Sequence, residues 1–336
     1  MHFGIYAPIP MATVGSPEVA RANAEALSSL PEGRVDAQFD LGLEVLLAAD
    51  ASGFDLTLFA ERHLGTDIGA WVMASAIGSR CVNMRALVAV HPGLWDPVMV
   101  AKLAASLDRI CTGRMAINIV NGWFDEEFRM FGGTVLAGEA RYRRATEFIE
   151  ILRGLWTQPT FSFEGEHYNL KDGQLLLKPA SPTPPEIYSV SRGDRGRDFI
   201  ADHCNWWFID YPKDAETTDE VLRGIETAIA DMRRRAERSG RHIHFALNPF
   251  VALGVSKDAA LKDVIDRVFA SERDPDPRKV EHRMLPATKA GLIDTPENVR
   301  RQVKRFEAMG IELLLCKMIP TGENVRRIGA EVIAAL

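Results

Sequence analysis

Four stretches of the sequence gather residue types that can do chemistry, each behind a run of strand-forming residues. Glu61-Arg62-His63 sets an acid, a guanidinium and an imidazole side by side. Ala89-Val90-His91-Pro92-Gly93 ends an apolar run with small residues against which a flat ring can lie. Asn118 and Asn121 interrupt another apolar run that ends in Gly122-Trp123, where an amide is costly unless it finds partners. Asp125, Glu126 and Glu127 follow closely. Ser189-Val190-Ser191-Arg192-Gly193-Asp194-Arg195-Gly196 offers hydroxyls, a guanidinium and exposed backbone N–H groups at a strand-to-helix turn, a set suited to a phosphate. Each stretch also has a plain structural reading: a charged turn, a strand end, packing, or solvated charge at a helix start.

Other chemistry is excluded by pattern. The chain has no HExxH, no GxSxG elbow, no GxxxxGK[ST] and no GxGxxG. Cys81, Cys111, Cys204 and Cys316 lack CxxC spacing, so neither a metal site nor a disulfide framework is expected. His242 and His244 read as packing or surface residues, and Trp206-Trp207 as core. A chain with so few self-sufficient catalytic signals borrows a cofactor.

The elements that must position these groups alternate almost from end to end. Strands are expected at 2–7, 55–60, 85–91, 115–121, 186–191, 205–209, 245–253 and 312–317, with helices at 41–51, 98–110, 140–156, 214–239 and 296–309. Eight strands with intervening helices predict an α/β fold, a closed (β/α)8 TIM barrel, with an open doubly wound sheet as the rival. Asp96-Pro97 and Thr295-Pro296 read as capped helix starts, and Val98, Ala101, Leu103, Ala104 and Leu107 as a core-facing stripe. A single domain spanning residues 1–336 is expected, with insertions near 8–38 and 159–185, the latter a small β-hairpin, and a lid loop near 271–291. With 336 residues, 46% apolar and 26% charged, and a net charge of -6, the chain gives no electrostatic reason to expect nucleic acid or an anionic membrane. It has no secretory start and no apolar run long enough to span a bilayer, so a cytoplasmic location is expected.

Four blocks carry a resemblance: HPGLWDPVMVAKLAASLDRICTGRMAINIVNGWFDEEFRMFG (91–132), ARYRRATEFIEILRGLW (140–156), FEGEHYNL (163–170) and GLIDTPENVRRQVKRFEAMGIELLL (291–315). Across nearly the whole chain these resemble the bacterial luciferase-like flavin monooxygenases, in particular the pyrimidine and alkanesulfonate branches. The resemblance implies FMN, as FMNH2, held by Glu61, Arg62, Ala89, Asn118, Glu127, Arg141, Tyr142, Ser191, Arg192 and Gly193. It implies Asn118, Asn121, His63 and Arg62 as catalytic candidates. The chain departs from the family at Arg62, where the luciferases have histidine, at Gly193, where serine is common, and at Asn121, where the pyrimidine branch has threonine. Sulfonate-branch residues are missing near Asp67, Ala246 and Asn248.

The implied function is that of a two-component monooxygenase, which puts one oxygen atom from O2 into a small organic substrate. A separate NAD(P)H:flavin reductase would supply the FMNH2. A deazaflavin-dependent oxidoreductase and a non-catalytic flavin-binding protein are the alternatives. The family also implies a homodimer or higher homo-oligomer; Trp71, Val72 and Met73 read either as an apolar contact for it or as core.

Overall fold

The computed structural model describes residues 1–7, 37–61, 63, 68–122, 125–212, 215, 217–268 and 289–336. Most of the first connection, Arg62, Asp67, Trp123 and the expected lid up to residue 288 lie outside the described residues.

In chain order the strands are β1 (His2–Tyr6), β2 (Leu56–Phe59), β3 (Arg85–Val90), β4 (Met115–Ile119), β5 (Phe161–Glu164), β6 (Asn169–Gly173), β7 (Glu186–Val190), β8 (Trp206–Ile209), β9 (His244–Leu247), β10 (Ala252–Leu253), β11 (Ile293–Asp294) and β12 (Leu313–Cys316). The helices are α1 (Ala37–Ala51), α2 (Ala70–Gly78), α3 (Pro97–Ile110), α4 (Asp125–Met130), α5 (Glu139–Thr157), α6 (Asp194–His203), α7 (Thr218–Arg238), α8 (Lys257–Val268), α9 (Pro296–Met309) and α10 (Gly322–Glu331). Eight strands close into a barrel in the order β1-β12-β9-β8-β7-β4-β3-β2, which excludes the open sheet. The barrel strands are buried on nearly every residue, as strands covered on both faces must be. No helix among the described residues is long and apolar enough to cross a membrane.

Two compact units divide the chain: Met1–Thr57, Phe208–Asp231 and His244–Leu336 form one, and Leu58–Trp207 with Met232–Ile243 form the other. In the second unit, β3, β4 and β7 pair in parallel with Ala89 opposite Asn118 and Asn118 opposite Tyr188. These three side chains therefore share one face of the ladder. Asp96 caps α3, its carboxylate accepting from Val98 N and Met99 N at 2.9 and 3.1 Å. Near the other end of α3, fully buried Asp108 accepts from Ala180 N and Ser181 N at 2.7 and 3.1 Å, and so fixes the approach to β7. The expected hairpin is β5 paired with β6, and Glu147 of α5 accepts from the backbone N–H groups of Glu166, His167 and Tyr168 at its turn.

In the first unit, β1 pairs with β12 and β12 with β9. Thr295 caps α9 by accepting from Asn298 N. The expected strand at 245–253 is two elements. The ladder stops at Leu247 because Pro249 has no N–H to donate, while its carbonyl accepts from Lys317 N at 2.8 Å. β10 then pairs with β11, over a cluster of Phe250, Ala252, Ala260, Val264 and Ile293.

Two expectations about α3 and β4 need correction, and the open choice for Trp71, Val72 and Met73 falls to the core for two of the three. The buried face of α3 runs through Pro97, Val100, Ala101, Ala104, Ala105, Leu107 and Asp108; Val98, one residue and about 100° on from Pro97, turns out of it and is exposed. The strand at 115–121 ends at Ile119, so Asn121 lies beyond it. Trp71 and Met73 are buried within the chain, and of the trio only Val72 is exposed, since successive helical residues turn by about 100°. Replacing Asp96 with alanine is expected to cost about 1 kcal/mol of stability. Asp108→Ala should cost about 2 kcal/mol or more, because two backbone donors lose a charged partner. Urea unfolding of the variants checks both, and an Asp108 variant as stable as wild type would refute its anchoring role.

Candidate functional site

The predicted residues that are described all belong to the unit formed by Leu58–Trp207 and Met232–Ile243, where they gather into two groups. The first follows β7. The backbone leaves the strand at Ser191 and enters α6 through Gly193, whose N-cap position carries no side-chain cap. The first N–H groups of a helix lack intrahelical partners and carry its positive dipole end, so an uncapped start suits an anion. Tyr142, on the first turn of α5, shares a hydrogen bond with Ser191 across 3.3 Å between the two hydroxyl oxygens. Trp207 donates its indole N–H to the Ser191 carbonyl at 3.3 Å, and the Arg197 side chain donates to the Arg192 carbonyl at 3.0 Å. These bonds hold the turn from both sides.

Gly196 makes this approach possible. A Cβ there would overlap Ser191 Oγ and come within 2.6 Å of Tyr142 OH, whereas a Cβ on Gly193 would meet open space. Arg141 stands beside this group with its guanidinium 5.1 Å from the centre of the Tyr142 ring and its buried Nε without a partner. Arg192 is exposed.

The second group follows β2, β3 and β4. Glu61 is buried, and its carboxylate accepts from Ala70 N at 3.2 Å, serving the start of α2, whose N-cap Gly69 has no side chain to do so. Ala89 and Asn118 are buried side by side, and Asn118 Oδ1 has no hydrogen-bond partner among the described residues. Both amide atoms of Asn121 are likewise buried, with no partner among the described residues. His63 lies 5.7 Å from the His91 ring, 6.2 Å from Trp95 and 5.8 Å from Phe131, measured between ring centres. Trp71 meets Trp95 edge-on at 6.4 Å.

Burial governs the charge state here. It pushes the His63 imidazole below the usual histidine range, against the opposing pull of buried Glu127. His91 is pushed down to about 4 by burial, and His63 adds to this. At neutral pH His91 is therefore an uncharged hydrogen-bonding group.

Sequence reasoning placed Gly196 in the phosphate turn without its role there, and did not single out Arg144, Trp71 or Phe131 as part of this region. Buried Arg144 packs against Gly93, where the backbone has φ 95° and any Cβ would overlap the guanidinium. It donates to the Thr134 carbonyl at 2.9 Å and lies 5.3 Å from the Phe128 ring centre. A glycine following proline at a strand end was the only signal of that approach. Open grooves of about 400 and 440 Å³ also occur, but none of the strand-end residues lines either one.

The residues suit a flavin mononucleotide. An uncapped helix start, a tyrosine–serine hydroxyl pair and an unpartnered arginine nitrogen fit its phosphate. Small Ala89 beside the unsatisfied Asn118 oxygen fits the edge of a flat ring.

Comparison with known proteins shows the family. The model of the luciferase-like monooxygenase family matches residues 1–313. An FMNH2-dependent dimethylsulfone monooxygenase of Pseudomonas putida is 28% identical over 335 residues, covering 90% of this chain and 89% of that protein. One of the same description from Pseudomonas fluorescens (strain Pf0-1) is 28% identical over 331 residues, covering 90% and 88%. In three dimensions the monooxygenase RslO1 from Streptomyces bottropensis is similar, with a TM-score of 0.75 at 16% identity and coverage of 100% of this chain and 99% of that one. The chain belongs to the luciferase-like monooxygenase family.

Proposed function

We propose that this protein is the oxygenase of a two-component system: it takes FMNH2 from a separate NAD(P)H-dependent flavin reductase and oxygenates a small organosulfur compound. The observation that carries the flavin part of this reading is the cradle at the start of α6, where Gly196 lets Ser191 and Tyr142 meet beside an uncapped helix end. The substrate class rests on the two dimethylsulfone monooxygenases, each matched over about nine-tenths of both chains.

In this reading Tyr142, Ser191, Arg141 and the N–H groups opening α6 hold the phosphate, with Arg192 adding charge at the rim. Ala89 leaves room for the ring, and Asn118 accepts from its edge. Reduced FMN, when bound, supplies the electrons that activate O2. Asn121 orients the reacting partners through its unpartnered amide. Glu127 opposes the lowering of the His63 pKa, and His63 carries or holds a proton near the substrate. Arg62 stands next to His63 in sequence and is proposed to hold the substrate. The apolar surroundings keep water from the reacting atoms.

The direct test supplies purified protein with enzymatically reduced FMN, 18O2 and dimethyl sulfone. One labelled oxygen atom per substrate oxidised is expected; turnover with a reduced deazaflavin and none with FMNH2 would overturn the reading. Gly196→Ala tests the cradle. Its added methyl pushes Ser191 and Tyr142 apart, so FMN affinity should fall by about tenfold or more, equivalent to about 1.4 kcal/mol. Riboflavin, which lacks the phosphate, should bind wild type and variant nearly alike. An equal loss for both flavins would contradict the assignment of the phosphate to this turn.

A further inference from the structure

Among the described residues, one group of side chains brings three metal-ligating atoms together: the imidazoles of His242 and His244 and the carboxylate of Glu312, whose ligand atoms all lie within 4.8 Å of one another. The chain explains the meeting. Burial alternates on the way into β9, with His242 exposed, Ile243 buried, His244 half-buried and Phe245 buried. Residues two apart on such a run share a face, so both imidazoles turn away from the apolar pair. Glu312 stands just before β12, which pairs with β9, and its N–H donates to the Phe245 carbonyl at 2.9 Å. Its carbonyl accepts from His2 N at 2.7 Å. Held in this way, Glu312 Oε2 comes to 2.7 Å from His244 Nδ1.

We infer that His242, His244 and Glu312 form a binding site for one divalent transition-metal ion, Zn2+ foremost, which ties the start of β9 to the start of β12. The inference is independent of the oxygenase reading above. The two histidines alone read as packing or surface residues, because the third ligand lies 68 positions beyond His244.

The donor set argues for the kind of ion. Two imidazoles and one carboxylate suit zinc with three protein ligands and water in the remaining position, whereas calcium and magnesium take oxygen ligands. Bonds of about 2.0–2.2 Å put the ligand atoms of a tetrahedral ion about 3.4 Å apart, so side-chain shifts of about an ångström close the present spacing. The ion takes the place of the hydrogen between His244 Nδ1 and Glu312 Oε2, and a neutral imidazole keeps its proton on the other ring nitrogen. The side chains of His244 and Glu312 are 35% and 39% exposed, so the ion enters from solvent without opening the fold. These residues open their strands, and in barrels that end serves stability while chemistry sits at the carboxyl ends. The ion therefore supports the frame and takes no part in oxygenation.

Titration calorimetry of the full-length protein, stripped with a chelator and supplied with ZnCl2, tests this. One ion per chain is expected, with Tm rising as zinc is added. Co2+ supplies a readout of geometry, since a four-coordinate site gives an intense visible absorption that six-coordinate cobalt lacks. His242→Ala, His244→Ala and Glu312→Gln should each weaken zinc binding about tenfold or more and abolish the cobalt band. His242 is exposed, so its variant keeps the fold. His2, whose imidazole lies 3.3 Å from Asp55, provides the control, and His2→Ala should bind zinc as wild type does. FMN affinity should be the same with and without zinc.

Zinc binding only at about millimolar concentration, equal binding by wild type and the three ligand variants, or an equal loss in His2→Ala would overturn the inference. So would a six-coordinate cobalt spectrum. One zinc ion per chain in a protein that does not bind FMN contradicts the proposed function and leaves this inference standing.

Discussion

The parallel register of β3, β4 and β7 is the constraint on which the site depends. Ala89, Asn118 and Tyr188 stand opposite one another because their strands pair in step, and a slip of one residue would turn all three to the other face. The register also decides where the backbone leaves each strand. It sets His91 at the end of β3, Asn121 just past β4 and Ser191 just past β7. Tyr188 adds rigidity through its ring, stacked on Trp206 at 5.1 Å with the planes only 4° apart.

Around this ladder, carboxylates do the work of placement. Asp108 ties the segment before β7 to the end of α3, and Glu61 completes the start of α2 where glycine cannot cap. Glu147 organises the turn of the hairpin. Each lets a backbone segment turn without leaving its N–H groups unsatisfied. Among the described residues, buried polar atoms without a partner stand at these strand ends, on Asn118, Asn121, Trp71, Trp95, His63 and His91, and also elsewhere, for example on Thr57, Asp108 and Gln302.

The barrel was legible in the sequence because its strands are apolar on consecutive residues and its helices start with Asp-Pro and Thr-Pro. Asn118 was legible because an amide in an apolar strand violates the local pattern. Other features were hidden for identifiable reasons. The role of Gly196 arises from Tyr142, more than fifty positions earlier, and no local pattern encodes that meeting. Trp71 and Met73 read as either a dimer contact or core because hydropathy does not report which face of a short helix turns inward. The stretch from Phe245 to Leu253 reads as one strand by composition, yet a proline without a donor ends the ladder inside it. The indole and imidazole nitrogens beyond β2 and β3 form a set only once the chain has folded, since their positions run from 63 to 95.

The central claim, that the turn entering α6 grips the charged tail of a flavin, is tested most directly by a crystal structure of the protein grown with FMN. The account places the phosphate within hydrogen-bond distance of the N–H groups that open α6 and of the Tyr142–Ser191 hydroxyl pair. A phosphate bound elsewhere, with this turn contacting only solvent, would contradict it.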